Sequence, residues 1–295
     1  MNVTVASKTT ITPQASGTLA FSKPTGLEVG DLLVAVCFYA ETSLTAPTDF
    51  SAPAGWTQDA GDVISKTGSN RTQVQIFRKV ATSTETAASS LDFTSTTPDA
   101  TCGELYRITG YRGSDVVGGF AIDSINVDVA NPTFSLSFTP DQQETLFILS
   151  YVASTIQTDA VISDPVVDMA TNPTWTQQFS ENPVADTYRT MIFTAEATST
   201  DAITQLTQSV TNASASTDWG AVLIAINDDG NATAENTLID TDAVTFTSNG
   251  IADTETSSVL TSTTSESFAQ TGKGDSPQQW TEPTKSTDTW TNKNI

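Results

Sequence analysis

The second half of this sequence repeats the first, which constrains the fold more than any other feature. Four ordered matches, at offsets of 113, 119, 116 and 117 residues, connect the halves: 30–40 with 143–153, 52–58 with 171–177, 76–84 with 192–200, and 102–109 with 219–226. Ordered matches of this kind indicate tandem copies of one domain. Each copy is long enough to bury a core of its own.

The periodic segments read as strands. Phe134, Leu136 and Phe138 alternate with serines, as in a strand with one buried face. The segments 32–40 and 146–153 are apolar at both parities, which is typical of central strands covered on both sides. Turn signals such as KPTG and APTD separate the strands. The sequence therefore predicts an all-β fold of two tandem antiparallel β-sandwich, jelly-roll-like domains.

We place copy one at 1–112 and copy two at 113–228. The remainder, 229–295, differs in composition, because 18 of its last 45 residues are Ser or Thr. Such a segment cannot bury enough apolar surface to fold alone, so we expect an extended C-terminal arm that docks on a neighbouring subunit or partner. Its expected anchors are Phe246, Phe268, Trp280 and Trp290. The alternative is that the two tryptophans close a terminal hairpin.

The charge of the chain excludes some partners. It carries 34 acidic and 12 basic residues, for a net charge of -22. A surface this negative repels nucleic acids and anionic membranes, and we expect neither as a partner. The N-terminus lacks a cationic stretch followed by an apolar one, so we expect no secretory signal and synthesis in a cytoplasm.

Enzymatic chemistry finds little support in the residues. The chain has no histidine, which removes the usual general base and most zinc sites. The serine of Gly274-Asp275-Ser276 therefore has no histidine to activate it. Asp31 and Glu144 could serve a carboxylate-dependent glycosidase. They occupy equivalent repeat positions ahead of a central strand, however, which favours a turn role. We expect no enzyme activity and no cofactor.

Three further features have structural and functional interpretations. Cys37 and Cys102 have Ser150 and Trp219 as their aligned counterparts, so we expect buried thiols and no disulfide. The turn at 227–231 (NDDGN) could offer oxygen ligands to calcium but lacks the spacing of a calcium loop, which favours a plain turn. Trp56 and Trp175 recur at matched positions and favour a core plug between sheets over sugar stacking.

Several motifs together resemble a known family. They are F-x-x-P-x-G-x-x-x-G-D-L-L-V-A-V (21–36), P-x-G-W-T (53–57), I-F-R-K-V-A (76–81) and a strand ending in Y-R-G (111–113). Together they resemble a β-sandwich module widespread in virion proteins of tailed bacteriophages. The Trp-Thr pairs of the C-terminus are similar to the tails of marine-phage structural proteins. Copy two departs from the pattern at Gln143 and Thr174, where copy one has glycine. The motifs are structural, so no functional residue carries over.

The resemblance implies a virion component. We therefore expect a non-enzymatic head decoration, cement or head-fibre protein that binds the capsid shell or other virion proteins, as a homotrimer held by the arm. The alternative is a glycan-binding receptor module on a tail or fibre, with Phe50, Tyr111 and Trp175 as its loop-adjacent aromatic candidates.

Overall fold

The computed structural model describes most of the first 228 residues and three short stretches beyond them. The described ranges are 3–41, 49–65, 71–96, 98–113, 117–125, 132–135, 138–140, 145–154, 161–183, 188–198, 202–211, 219–228, 247–248, 278–281 and 291–294. The contacts divide the chain into two compact units, Met1–Ala232 and Thr233–Ile295. Both copies expected from the sequence fall inside the first unit. The limits of 112 and 228 for the copies stay predictions.

Strands account for nearly all the regular structure. In copy one the described elements are β1 Thr4–Gln14, β2 Thr18–Ser22, β3 Leu32–Glu41, β4 Thr57–Ser65, β5 Arg71–Val80, α1 Ser83–Ala87, β6 Ser90–Thr94 and β7 Ala100–Thr109. In copy two they are β8 Val117–Ile125, β9 Thr133–Phe134, β10 Thr145–Ser154, β11 Val161–Ile162, β12 Val166–Val167, β13 Trp175–Glu181, β14 Tyr188–Ala197, β15 Leu206–Thr207, β16 Val210–Thr211 and β17 Trp219–Asn227. The all-β fold class is confirmed. No helix in the described ranges is long and apolar enough to cross a membrane.

Each copy builds a large antiparallel sheet of five strands. The first sheet has the order β1-β7-β3-β5-β4, and the second has the order β8-β17-β10-β14-β13. Chain order and spatial order correspond strand by strand, so the two sheets have the same topology. Smaller sheets accompany them: β2 pairs with β6 in copy one, while β9, β12 and β15 form one sheet and β11 pairs with β16 in copy two.

The central strands β3 and β10 are apolar at both parities because both of their faces are covered. Successive side chains of a strand point to opposite faces. Leu32 of β3 and Leu146 of β10 belong to one common core, which draws residues from both large sheets. Leu33 instead joins an outer core with β2 and β6, and Phe147 joins an outer core of copy two. The described residues of the first unit therefore form three cores, and the middle one is shared.

Contacts across the shared core join the two large sheets directly. Phe38 stacks on Phe179, with ring centroids 6.0 Å apart. The Sγ atom of Cys102 lies 3.5 Å from Oγ1 of Thr190. Near the end of β3, the Tyr188 hydroxyl donates a 2.7 Å hydrogen bond to the carbonyl of Glu41. Each copy does bury an outer core of its own, but the sequence did not indicate this third core between the copies.

The pairing registers correct two of the sequence offsets. Leu32 pairs with Ile108 in the first sheet, and Leu146 pairs with Ile226 in the second. All four side chains belong to the shared core. Leu32 therefore corresponds to Leu146 at an offset of 114, and Ile108 corresponds to Ile226 at 118. The sequence offsets of 113 and 117 are each wrong by one residue, which exchanges the two faces of a strand.

The two cysteines are buried and free, as the sequence predicts. Burial raises the pKa of both thiols, that of Cys102 to about 12. With the corrected offsets, the counterpart of Cys37 is Tyr151 rather than Ser150, and that of Cys102 is Gly220 rather than Trp219. The conclusion drawn from the sequence still holds, because copy two has no cysteine at either place.

The matched tryptophans occupy equivalent places in the outer cores rather than between the large sheets. Trp175 is 5% exposed and stacks on Phe147 with centroids 6.2 Å apart. Trp56 is only partly buried, edge-on to Phe93 at 5.0 Å. The prediction of a buried core residue is therefore confirmed for Trp175 and holds only in part for Trp56.

The second unit contains a small three-stranded sheet. Its strands are β18 Thr247–Ser248, β19 Gln278–Thr281 and β20 Thr291–Asn294. β19 runs antiparallel to β20, with Trp280 opposite Asn292, and β18 runs parallel to β20. The arm expected at 229–295 stays a prediction.

We expect Trp175→Ala to destabilise the protein more than Trp56→Ala. Removing a buried Trp side chain costs about 3–5 kcal/mol, because burial is lost and a cavity remains. The partly buried ring of Trp56 has less burial to lose. Urea unfolding of the two variants measures the difference. Equal losses, or a larger loss at Trp56, would contradict these placements.

Candidate functional site: two unlike corners of the sheet-to-sheet contact

The two large sheets differ in chemistry at two neighbouring cross-strand pairs that occupy equivalent places in both sheets. In the first sheet, Lys8 lies opposite Tyr106 and Thr10 lies opposite Glu104. In the second sheet the matching cross-strand pairs are Phe120 with Ile224 and Ile122 with Val222. The register shifts of the two sheets also fall at equivalent places, just before these pairs in the chain. They lie between Val5 and Ser7 in β1 and between Val117 and Gly119 in β8. The copies therefore place a polar set and an apolar set at the same point of the fold.

We call the first set, Lys8, Thr10, Glu104 and Tyr106, the polar corner. The Glu104 side chain is 1% exposed and lies on the shared-core face of β7. Its Oε1 atom accepts 2.8 Å hydrogen bonds from the Lys8 ammonium and from the Thr10 hydroxyl. Its Oε2 atom accepts a hydrogen bond from the Tyr106 hydroxyl. Three donors thus stabilise this buried carboxylate, as a buried charge requires.

The polar corner also connects the two copies. The Lys8 ammonium donates a second hydrogen bond, 2.6 Å long, to the backbone carbonyl of Gln178 in copy two. Gln178 is the extra residue of a β-bulge in β13, and its side chain is held by the Thr194 hydroxyl at 2.8 Å. The bulge therefore directs a carbonyl toward Lys8. An ion pair within copy one becomes a bridge between the sheets.

The protonation state of Tyr106 is fixed by its surroundings. Burial raises the pKa of the phenol well above its ordinary value of 10.0, and the negative charge of Glu104 raises that pKa further. Tyr106 therefore stays a proton donor to Glu104 across the working pH range. With Tyr106, Thr10 and Lys8 all donating to it, the Glu104 carboxylate acts as a structural anion.

We call the second set, Phe120, Ile122, Val222 and Ile224, the apolar corner. Val222 and Ile224 are fully buried in the shared core. Phe120 and Ile122, next to them on the edge strand β8, are 51% and 37% exposed. The corner therefore continues the apolar surface of the shared core out to solvent. Both of these positions of β8 have apolar side chains, whereas the equivalent positions of β1 have the charged Lys8 and the polar Thr10.

Of the two carboxylates that the sequence suggested for catalysis, Asp31 is described, and its contacts stabilise a turn. The Oδ2 atom of Asp31 accepts hydrogen bonds from the Arg107 guanidinium at 2.6 Å and from the backbone N–H of Glu28 at 2.8 Å. The turn role expected for Asp31 is therefore confirmed. Glu144 lies outside the described residues, as does the Gly274-Asp275-Ser276 segment.

A second buried carboxylate, Glu85, belongs to the N-terminal cap of α1. Its Oε2 atom accepts hydrogen bonds from the backbone N–H and the hydroxyl of Thr82, at 2.9 and 2.6 Å. Its Oε1 atom lies 2.6 Å from the Lys79 ammonium. Burial raises the pKa of Glu85, but the hydrogen bonds from Lys79 and Thr82 outweigh burial and lower the pKa to about 2.

The turn predicted at 227–231 is described only at its first two residues. Both are buried, and the Oδ2 atom of Asp228 accepts a 2.9 Å hydrogen bond from the N–H of Val3. Asp228 thus connects the end of copy two to the start of copy one. Among the residues the structure describes, no three acidic or cysteine side chains are grouped to hold a metal ion.

The aromatic candidates for sugar stacking are mostly core residues. Phe50 is 4% and Trp175 is 5% exposed, so neither ring can stack on a glycan, and those two assignments are wrong. Tyr111 is partly exposed, and its hydroxyl donates a 2.6 Å hydrogen bond to the carbonyl of Gly30. Both buried rings sit in the outer cores, where aromatic side chains supply much of the buried area.

Three of the four arm anchors expected from the sequence, Phe246, Phe268 and Trp290, lie outside the described residues. Trp280 lies in β19. The residues of the two corners were not indicated by the sequence analysis. A comparison of the copies at the corrected offset of 118 would have set Glu104 against Val222, which is a charge against an aliphatic side chain in the same buried strand position.

Comparison of this chain with protein-family models, with curated proteins and with solved structures found no match.

We expect Glu104→Val to destabilise the protein by about 3 kcal/mol. The change leaves the Lys8 ammonium without its counter-ion at the edge of the apolar shared core, and it leaves the buried Tyr106 hydroxyl without its acceptor. The double variant Lys8→Met/Glu104→Val should recover part of this loss, because it removes both charges, as copy two does at the same place. Urea unfolding of the two single variants and the double variant gives the coupling energy. Additive losses would contradict the bridge.

We expect Glu85→Gln to destabilise the protein by about 2–3 kcal/mol at neutral pH and progressively less in acid. The folded state lowers the pKa of Glu85 from its ordinary 4.5 to about 2. Its contribution to stability is therefore complete above pH 4.5 and is lost as the pH falls toward 2. Unfolding of wild type and variant between pH 7 and pH 2 measures this convergence. Asp92→Asn, on the exposed face of β6, is the control. A difference that does not change with pH would contradict the assignment.

Proposed function

We propose that this chain is a non-enzymatic structural protein of a tailed-bacteriophage virion, one that decorates or cements the head shell or forms a head fibre. The observation that carries the proposal is the duplicated sandwich with a shared core, in which the buried charged side chains serve packing. Glu104, Glu85 and Asp31 each bind two or more donors of the chain itself. The resemblance of the sequence motifs to phage virion modules favours the same class.

The distribution of charge supports a binding role at a basic surface. Among the described residues, Lys8, Arg78, Lys79 and Arg107 are held in ion pairs inside copy one. Each pair cancels one basic and one acidic charge, so the net charge of -22 rests on the remaining side chains. An acidic protein bound to a shell would find its complement in a basic surface of that shell. We infer that its attachment weakens as salt concentration rises.

The glycan-binding alternative loses support from the described residues. It needs exposed aromatic rings on one rim, and Phe50 and Trp175 are buried. Tyr111 is the remaining candidate of the three. The decoration proposal does not depend on an exposed aromatic rim in the first unit.

Immunogold labelling of particles of a phage whose genome encodes this chain tests where the protein lies on the virion. We expect label at regular positions over the head. Label at the tail tip would favour receptor binding instead, and absence of label from purified particles would contradict a virion role.

We expect the pair of changes Trp280→Ser/Trp290→Ser to abolish co-sedimentation with shells depleted of this protein and to dissociate the proposed homotrimer. Large aromatic anchors supply most of the energy of a docked polar segment. The control Trp280→Phe/Trp290→Phe keeps an aromatic ring at both places and should retain most of the binding. Normal assembly and sedimentation of the serine variant would contradict the role assigned to residues 229–295.

A further inference from the structure

The strand β8 combines two properties that favour pairing with a strand of another molecule. It is an edge strand, paired with β17 on one side and with no partner on the other among the described residues. It also presents Phe120 and Ile122 on one face, at 51% and 37% exposure. Five large apolar side chains are exposed in the described ranges: Val29, Val80, Phe120, Ile122 and Val166. Among these five, only Phe120 and Ile122 lie on the same strand.

The equivalent edge of the first sheet is protected by charge. At the positions of Phe120 and Ile122, the strand β1 has Lys8 and Thr10. A lysine on an edge strand is a common means of preventing pairing with another chain. Copy two has lost that protection and has apolar side chains instead. The difference between the copies is confined to side chains, because the ladder positions and the bulge are the same.

From this we propose that β8 is a homotypic interface, where β8 of a second copy of this chain pairs antiparallel about a two-fold axis at Ala121. In that register Phe120 of one protomer lies opposite Ile122 of the other, and the pair occurs twice. Asp123 lies opposite Gly119, so no like charges meet even though the chain carries a net charge of -22. Such self-complementary contacts are what two-fold symmetry requires.

The contact would extend the shared apolar core of each protomer. The cross-strand neighbours of Phe120 and Ile122 within the chain are Ile224 and Val222, both fully buried in the shared core. A second β8 would therefore continue the second sheet across the axis and cover the apolar corner of each protomer. The carboxylate of Asp123 is engaged within its own chain, because its Oδ2 atom accepts a 2.7 Å hydrogen bond from the N–H of Ser135. Main-chain hydrogen bonds supply the rest of the contact.

The inference concerns the first unit and is independent of the proposed function. It is tested with the full chain carrying Phe120→Lys/Ile122→Thr, which places the copy-one residue types on β8. We expect sedimentation equilibrium to give this variant half the mass of the wild type. Both side chains are substantially exposed in the single protomer, so the variant should stay folded and keep the far-ultraviolet circular dichroism of the wild type. The matched control Val29→Lys/Val166→Thr alters two other exposed valines, 67% and 55% exposed, and should keep the wild-type mass.

A cysteine experiment tests the register. A mixture of Phe120→Cys and Ile122→Cys proteins should form disulfide-linked dimers faster than either protein alone, because residues 120 and 122 lie directly opposite across the axis. The native cysteines are buried and do not compete. An unchanged mass for Phe120→Lys/Ile122→Thr, or cross-linking no faster in the mixture than in each protein alone, would overturn the proposal.

Discussion

The first unit depends on the packing of two equivalent sheet faces against each other. The apolar residues of β3 and β10 that point inward, such as Val34 and Ile148, have no other place to be buried, since the opposite faces already meet outer layers. Burial of apolar area is the dominant favourable term in folding, at about 25 cal/mol per Å². The duplicated sequence therefore does not give two independent sandwiches side by side. It gives one unit in which each copy completes the other.

The equivalence of the two faces makes their differences informative. At the polar corner, Glu104 and Lys8 form an ion pair that reaches the carbonyl of Gln178 in the other copy. At the apolar corner, Val222 and Phe120 occupy the same ladder positions, and Phe120 is half exposed. One corner is closed by charge within the chain, while the other leaves apolar surface open. A duplicated domain can thus keep its fold while equivalent positions on its edges differ in chemistry.

Much of the fold could be predicted from the sequence, but not its face-to-face arrangement. Apolar runs at both parities gave β3 and β10 as central strands, and the repeat gave the common topology. The one-residue errors in two offsets arose because Leu32 and Leu33 are both apolar. The amino-acid types therefore do not show which of the two side chains faces the shared core. Trp175 was found because it is large and repeated, whereas Glu104 was missed because a single charge in a strand has no periodic signal. Two of its three partners come from β1, about 95 residues away in sequence.

The central claim is that the two copies fold as one unit through their shared core. Hydrogen exchange followed through a urea titration tests it most directly. The amides of β3 in copy one and β10 in copy two should lose protection together, at one urea concentration and with one free energy of opening. Loss of protection in β10 at a lower concentration, with β3 still fully protected, would show that the copies unfold separately and would contradict the account.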